Sequence, residues 1–330
     1  MSPLRDMITL ARFGHPHYEN AVRDAVGRMT FMPPGSVVAM VGPTRVGKSA
    51  AIREAASQVY PSNEDPAIPY VVVDCSRTDA GFTSTRYLTL DLLNKLEHPF
   101  YTEGAYRPRT SQTETNARLQ LRRAIHYRQT QLIVIDEAHH LLRVKNRAGR
   151  EAALESLKCL GNETGALIFL VGGYELLTSC FCSAHLNGRL SLIEFPRYGA
   201  GMEDTLHFCR ILASFDELLP WARGHSLLAM KEFIYAGTLG SCGLVSNWAL
   251  IALANMWAAG GSKLRKDHFT KARYEKQLEE IALDIKFGEG VLQPISERPR
   301  ANTAASKPRP VGQRRPGRRK PKRDPLGPSK

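Results

Sequence analysis

Long apolar segments are missing from this chain of 330 residues. A helix needs about 18 or more consecutive apolar residues to cross a bilayer, and no such run occurs, so a membrane span is excluded. The first residues also lack the apolar core of a signal peptide, because Arg5 and Asp6 precede any apolar stretch. We therefore expect a cytoplasmic protein with no membrane partner.

Cysteine is scarce, with six residues and no C-x-x-C pair among them. No paired spacing of histidines and cysteines suggests a zinc site. Disulfide frameworks and structural zinc are therefore not expected. We interpret the cysteines as free thiols in a reducing compartment.

Acidic residues are outnumbered, mainly at one end of a chain whose formal net charge is +13. Between Ser296 and Lys330, twelve lysines and arginines face two acids, a local balance of +10, and seven of the 20 prolines fall there. Such a segment buries too little apolar surface to offset the entropy lost on ordering. Residues 291–330 are predicted to be a disordered basic tail that binds nucleic-acid phosphates. A purely solubilising terminus is the alternative.

Apolar runs of strand length alternate with helical patterns over the first 200 residues. The runs are Ser36–Val41, Pro69–Asp74, Gln131–Asp136, Ala166–Val171 and Ser191–Phe195. This alternation predicts an α/β fold, with a parallel sheet flanked by helices. Beyond Gly201 only helical patterns follow, at 203–217, 223–236, 243–259 and 267–285. We predict an α/β core over 1–200 and a small helical lid over 201–290.

A glycine-rich sequence lies between the first predicted strand and a helix. It matches G-x-x-x-x-G-K-[ST], in which backbone N–H groups surround phosphates, the lysine reaches the β- and γ-phosphates, and the hydroxyl ligates Mg²⁺. The start of the following helix adds positive charge. The motif predicts a site for ATP and Mg²⁺ formed by Gly42, Pro43, Thr44, Arg45, Val46, Gly47, Lys48 and Ser49.

Two acids end the third predicted strand. Asp136 and Glu137 follow four apolar residues. Asp136 is predicted to hold Mg²⁺ through water, and Glu137 to orient the attacking water. The letters D-E-A-H over 136–139 also spell a helicase box. Such helicases need two RecA-like domains and this chain has one phosphate loop, so the match is only a weak signal of a helicase. His139 and His140 point about 100° apart on a helix, so we do not expect them to share a metal ion.

The order of these motifs resembles the TniB/TnsC family, AAA+ ATPases of transposons that include CRISPR-associated ones. The resemblance covers about residues 10–260, and its more specific phrases are I-D-E-A-H-H-L-L at 135–142 and E-F-P-R-Y at 194–198. It implies an AAA+ P-loop core whose subunits assemble on double-stranded DNA as a homo-oligomeric ring or filament. It also implies that they link a TniQ-type target selector to a DDE transposase and disassemble on ATP hydrolysis.

The resemblance also assigns roles to individual residues. Arg189 matches the arginine finger that reaches the γ-phosphate of the neighbouring subunit, a surface salt bridge being the alternative. An adenine pocket is implied near His15, Pro16 and Tyr18, with Arg197. Two basic loops are implied to face DNA phosphates, the alternative being solvated charge, and their residues are Arg107, Arg109, Arg143, Lys145, Arg147 and Arg150.

Two positions depart from the AAA+ pattern. Gly172 and Gly173, followed by Tyr174 and Glu175, stand where a polar γ-phosphate sensor usually follows the fourth strand. The segment 240–244 lacks the arginine often found at a second sensor. Both gaps bear on hydrolysis more than on nucleotide binding. Two other functional classes stay open: a helicase loader or replication-initiation ATPase, and a DNA-coating scaffold with little turnover.

Overall fold

The computed structural model describes residues 14–61, 65–75, 84–101, 113–142, 147–180, 190–271 and 275–292, together with Ile8. The chain divides into two units, Met1–Leu292 and Gln293–Lys330. All described residues belong to the first unit. The predicted basic tail therefore lies outside them, except for its first two residues, which end the last helix.

Five parallel strands form one sheet within the described residues. Their order across the sheet is β2-β3-β4-β1-β5, and Val41 pairs with Gly172 on one side and Glu194 on the other. The carboxyl ends of all five strands share one edge, where β4 lies between β1 and β3. The strands are β1 (Val37–Val41), β2 (Tyr70–Asp74), β3 (Leu132–Asp136), β4 (Leu167–Gly172) and β5 (Leu190–Glu194).

Helices flank this sheet, and several begin at side-chain caps. Ser84 accepts the N–H of Tyr87, and Thr113 accepts that of Asn116, which satisfies donors that have no partner in the first turn. The helices are α1 (Pro16–Phe31), α2 (Lys48–Val59), α3 (Thr85–Lys95), α4 (Glu114–Tyr127), α5 (His139–Leu142), α6 (Arg147–Thr164) and α7 (Glu175–Cys180).

Both faces of the sheet are buried. Along β1, Val37, Ala39 and Val41 join one apolar cluster, and Val38 and Met40 join another on the opposite face. Burial on both faces explains why the strands appear in the sequence as continuous apolar runs. The predicted fold class, a parallel sheet flanked by helices, is confirmed.

Beyond β5 the described residues form helices around a third apolar cluster. The helix expected over 223–236 begins later, because the Asp216 carboxylate accepts the N–H groups of Leu227 and Leu228 at 2.7 and 3.1 Å and holds the preceding segment as a loop. The helix expected over 267–285 is two helices. The elements are α8 (Met202–Leu218), a 3₁₀ turn (Leu228–Met230), α9 (Lys231–Thr238), α10 (Cys242–Ala258), α11 (Lys266–Thr270) and α12 (Glu275–Leu292).

Trp221, Trp248 and Trp257 fall in the helical segments, and their large apolar rings predict core positions. The three differ in burial. Trp248 is buried and donates its indole N–H to the carbonyl of Phe269 at 3.0 Å. Trp221 is half-buried and stacks on the Phe269 ring. Trp257 is 81% exposed, so its core assignment is wrong. It lies in the last turn of α10, on a face turned away from the apolar cluster.

In the described part of the chain, no single helix is long and apolar enough to cross a bilayer. One pair bent by 110°, Leu228–Thr238 with Cys242–Ala258, meets the length and composition requirements only when the two are taken together.

Candidate nucleotide-binding site

The glycine-rich loop connects β1 to α2 in a conformation that requires its glycines. Gly47 has φ 112°, a left-handed region that favours glycine. At Gly42 a Cβ atom would lie 2.1 Å from the carbonyl oxygen of Phe195, so no larger residue fits. The loop therefore lies closely against the segment that follows β5, with α2 beginning at Lys48.

Lys48 is the charged centre of the loop. Its Nζ donates to the carbonyl oxygens of Gly42 at 2.9 Å and Pro43 at 2.6 Å. Burial lowers the pKa of Lys48 to about 8, and the negative charges of Glu137 and Asp136 oppose this shift. Removing water from an ammonium group makes an anionic partner more favourable, as a phosphate-binding lysine requires.

The acid pair lies at the end of β3. Asp136 is buried, and its Oδ1 accepts the N–H of Glu137 at 3.0 Å. Glu137 has φ 50°, which is rare for a residue with a side chain. Burial, with a smaller contribution from Asp136, raises the pKa of Glu137. A carboxylate with a raised pKa is a better proton acceptor near neutral pH.

The structure brings the loop and the acid pair together at one edge of the sheet. Both acids lie close enough to Lys48 for their charges to change its pKa. The residues offered to a metal, the Ser49 hydroxyl and the Asp136 carboxylate, are oxygen ligands of the kind that Mg²⁺ prefers. The chemistry of this donor set fits Mg²⁺.

His139 connects two carboxylates beside the acid pair. Its Nδ1 lies 3.2 Å from Glu137 Oε2, and its Nε2 lies 3.3 Å from Glu175 Oε1. The expectation that His139 and His140 cannot face one ion is wrong. Their ring centroids are 4.0 Å apart. One possible ligand atom from each of Glu137, His139 and His140 lies within 4.8 Å of the other two. Side-chain rotation overcomes the angle between adjacent Cβ atoms.

Aromatic rings surround the other side of the loop. Gly47 lies next to the rings of Tyr18 and Phe195. His15 caps α1 by accepting the N–H of Tyr18, and its Nδ1 lies 2.8 Å from the hydroxyl of Tyr198. Burial, with smaller effects of neighbouring histidines, lowers the pKa of His15 to about 4, so this ring is neutral at pH 7. Such a neutral aromatic group suits a nucleobase.

Arg197, which the resemblance implies for the adenine pocket, makes an ion pair with a C-terminal helix. Its guanidinium pairs with both carboxylate oxygens of Glu289, at 2.8 and 3.3 Å, and donates to the hydroxyl of Tyr235 at 3.2 Å. It therefore ties α12 and α9 to the segment after β5. Sequence reasoning missed Glu289, because no spacing rule connects a C-terminal helix to this edge.

The helical part contacts the loop directly. The N–H of Gly243, at the start of α10, donates to the carbonyl of Arg45 at 2.8 Å. A Cβ atom at Gly243 would lie 2.4 Å from that same oxygen. The backbone of segment 240–244, which lacks the arginine of a second sensor, thus packs against the loop that we expect to surround the phosphates.

Replacing Gly243 by alanine is expected to weaken binding of Mg-ATP. The added methyl group forces α10 away from Arg45 and breaks a hydrogen bond that contributes about 0.5–1.5 kcal/mol, so affinity should fall by up to about tenfold. Calorimetric titration measures this. Gly27→Ala is the matched control, because a Cβ atom there meets nothing within 4 Å. Unchanged affinity in Gly243→Ala would show that this contact does not shape the site.

The structure describes only some of the residues predicted to contact DNA or a neighbouring subunit. Arg147 and Arg150 lie in the first turn of α6, and Arg150 is half-buried. Arg147 belongs to the helix, but its side chain is outside the description. Outside the described residues altogether are the predicted arginine finger and most of the basic loops, namely Arg189, Arg107, Arg109, Arg143 and Lys145.

Comparison with known families agrees with this geometry. The family model described as the AAA domain matches residues 34–179, a range that contains the glycine-rich loop and the acid pair. This match covers less than half of the chain, and with the strand order it shows the fold of an AAA+ P-loop NTPase. Among curated proteins, none matches the sequence.

Solved ORC structures share the fold. Aeropyrum pernix ORC2 in its ADPNP-ADP complexes is 14% identical, with a TM-score of 0.55 over 83% of this chain and 74% of that chain. Its ADP form is 15% identical, with a TM-score of 0.52 over 77% and 66%. Drosophila ORC bound to DNA is 14% identical, with a TM-score of 0.50 over 83% and 65%. The chain thus spans about two thirds to three quarters of these proteins, and at such identities the likeness concerns the fold alone.

Proposed function

We propose that this chain is an ATPase that assembles on double-stranded DNA in its ATP-bound form and leaves it after hydrolysis. The observation that carries the proposal is the position of Lys48, a half-buried amine between a glycine-rich loop and two carboxylates, Asp136 and Glu137. An amine beside adjacent acids at the end of a parallel sheet is the arrangement that phosphoryl transfer needs.

The residues have separate tasks in the proposed hydrolysis. Loop N–H groups and Lys48 bind the phosphates, and Ser49 and Asp136 hold Mg²⁺, which neutralises developing charge when bound. Glu137 accepts the proton of the attacking water. His139 lies 3.2 Å from Glu137 and orients that carboxylate. Arg189 of a neighbouring copy supplies positive charge to the transition state, which can contribute about 10³-fold or more to the rate.

We further propose that the client process is transposition. The support is the TniB/TnsC-like order of motifs, in which the acid pair continues into I-D-E-A-H-H-L-L and β5 leads into E-F-P-R-Y. In this role the assembly links a TniQ-type target selector to a DDE transposase. The DNA contacts are proposed for the basic loops that contain Arg107, Arg109, Arg143 and Lys145, with Arg147 and Arg150.

A replication-initiation ATPase or helicase loader is the second candidate. The fold likeness to the ORC proteins favours it, since one of those structures was solved with DNA. The two candidates share the site and differ in the partner. Assemblies formed on DNA with ATP should retain a DDE transposase and a TniQ-type protein in co-sedimentation under the first, and a replicative helicase under the second.

Imaging by electron microscopy tests the shared part of the proposal. With duplex DNA and a non-hydrolysable ATP analogue, we expect ordered rings or filaments. With ADP or no nucleotide, we expect none. Ordered assemblies of the same kind in all three conditions would contradict a nucleotide-controlled switch.

Deleting residues 296–330 is expected to weaken DNA binding and flatten its dependence on salt. Each phosphate contact contributes about −0.9 to the slope of log K against log salt, and this segment holds twelve lysines and arginines. Fluorescence anisotropy over a salt series measures the slope. A variant of equal length with glutamine at those twelve positions separates charge from length. If neither variant changes the slope, the tail does not bind DNA.

A further inference from the structure

Helix α12 lies against the edge of the sheet that carries the candidate site. Gly288 packs on the ring of Tyr174, so closely that a Cβ atom there would lie 2.0 Å from the ring. Glu289 pairs with Arg197 through two hydrogen bonds, and Ile285 is buried. The helix is therefore fixed by packing and by an ion pair on the same stretch.

This packing brings Asp284 to the residues that follow β4. Its Oδ2 lies 4.0 Å from the position of a Cβ atom on Gly173, and the nearby N–H of Tyr174 lowers the pKa of the carboxyl, against the larger effect of burial. Because β4 lies between β1 and β3, this places the carboxylate between the phosphate loop and the acid pair. Gly173 has no side chain to fill that space, and Asp284 reaches it from another helix.

The strand order distinguishes the two ends of the site. The aromatic rings of Phe195 and Tyr198 follow β5, on one side of the loop. Asp136, Glu137 and Asp284 lie on the other side, at the ends of β3 and β4. A nucleotide whose base meets the aromatic rings therefore extends its terminal phosphate toward Asp284.

Carboxylates predominate among the described residues at this end. The amine of Lys48 lies in the field of Asp136, Glu137 and Asp284. Burial, and then the charge of Glu175, raises the pKa of Asp284, whereas Lys48 lowers it. A terminal phosphate bound beside Lys48 would add negative charge near the Asp284 carboxylate.

We propose that Asp284 is a specificity-determining residue of this site: its carboxylate faces the terminal-phosphate position and weakens the binding of triphosphate relative to diphosphate. The inference rests on the proposed nucleotide-binding function. Through Asp284, α12 would distinguish a triphosphate from a diphosphate, at the place where Gly172 and Gly173 end and follow β4.

The test is a titration of Asp284→Asn with Mg-AMP-PNP and Mg-ADP by calorimetry. Removing this charge from the proposed terminal-phosphate position should tighten binding of the triphosphate analogue by about tenfold, with little effect on the more distant diphosphate. Glu280→Gln is the matched control, since it removes one charge from an exposed position of the same helix. It should leave both affinities unchanged.

A second variant tests the role of the helix independently. Gly288→Ala forces α12 off the Tyr174 ring and should shift the preference between the two ligands in the same direction as Asp284→Asn. The inference is overturned if Asp284→Asn leaves the ratio of the two affinities unchanged, or if it weakens the triphosphate analogue selectively. If the unmodified protein binds neither ligand, the proposed function itself fails, a result distinct from binding that Asp284 does not affect.

Discussion

Glu137→Gln is expected to lower the rate of ATP hydrolysis by about 10²–10⁴-fold, the usual contribution of a general base. The amide keeps the shape of the side chain but accepts no proton. Because Lys48, Ser49 and Asp136 are unchanged, Mg-ATP should still bind, and assemblies should stay on DNA instead of dissociating. Phosphate release and the lifetime of DNA-bound complexes measure the two effects.

The control for this variant is Glu155→Gln. Glu155 is an exposed carboxylate on α6 paired with Lys158, so its loss should leave both readouts unchanged. Rapid phosphate release by Glu137→Gln would place the general base elsewhere, and Glu175, which shares His139 with Glu137, would be the next residue to test.

Lys48→Ala is expected to weaken ATP binding by about a hundredfold or more and to abolish ATP-dependent assembly on DNA. Charge-assisted hydrogen bonds contribute about 1.5–3 kcal/mol each, and this amine is predicted to serve two phosphates. Binding of a fluorescent ATP analogue and negative-stain images of the protein with DNA are the measurements.

Arg53→Ala is the matched control for the lysine. It lies on the same helix, α2, and its half-exposed side chain pairs with Asp74 at 3.5 Å. It should retain ATP binding. Ordered assemblies of Lys48→Ala on DNA in the presence of ATP would show that the phosphate loop does not control assembly.

The sheet could be predicted from the sequence because burial on both faces leaves a direct signal. Each strand of a covered parallel sheet is a short apolar run, and Val37–Val41 and Leu132–Asp136 lie within one residue of their predicted limits. The glycine-rich loop was equally visible, since Gly42 and Gly47 are required by a close approach and a left-handed backbone.

Other features depend on long-range packing or side-chain rotation, which leave no pattern in the sequence. Asp284 reaches the site only because Gly288 allows α12 to lie on Tyr174. The rings of His139 and His140 come together through their rotamers, against the angle between their Cβ atoms. Trp257 is exposed although its helix is largely apolar. The sequence does not predict this exposure, because apolar residues occur on all sides of α10 and do not show which face is buried.

The central claim is that one site, formed by the loop before Lys48 and by Asp136, holds the triphosphate and its metal. The most direct measurement is a structure of the protein with Mg²⁺ and a non-hydrolysable ATP analogue. We predict phosphates within hydrogen-bonding distance of the loop N–H groups and of Lys48 Nζ, and the metal between Ser49 and Asp136. Phosphates bound elsewhere, or an empty loop at saturating ligand, would contradict the account.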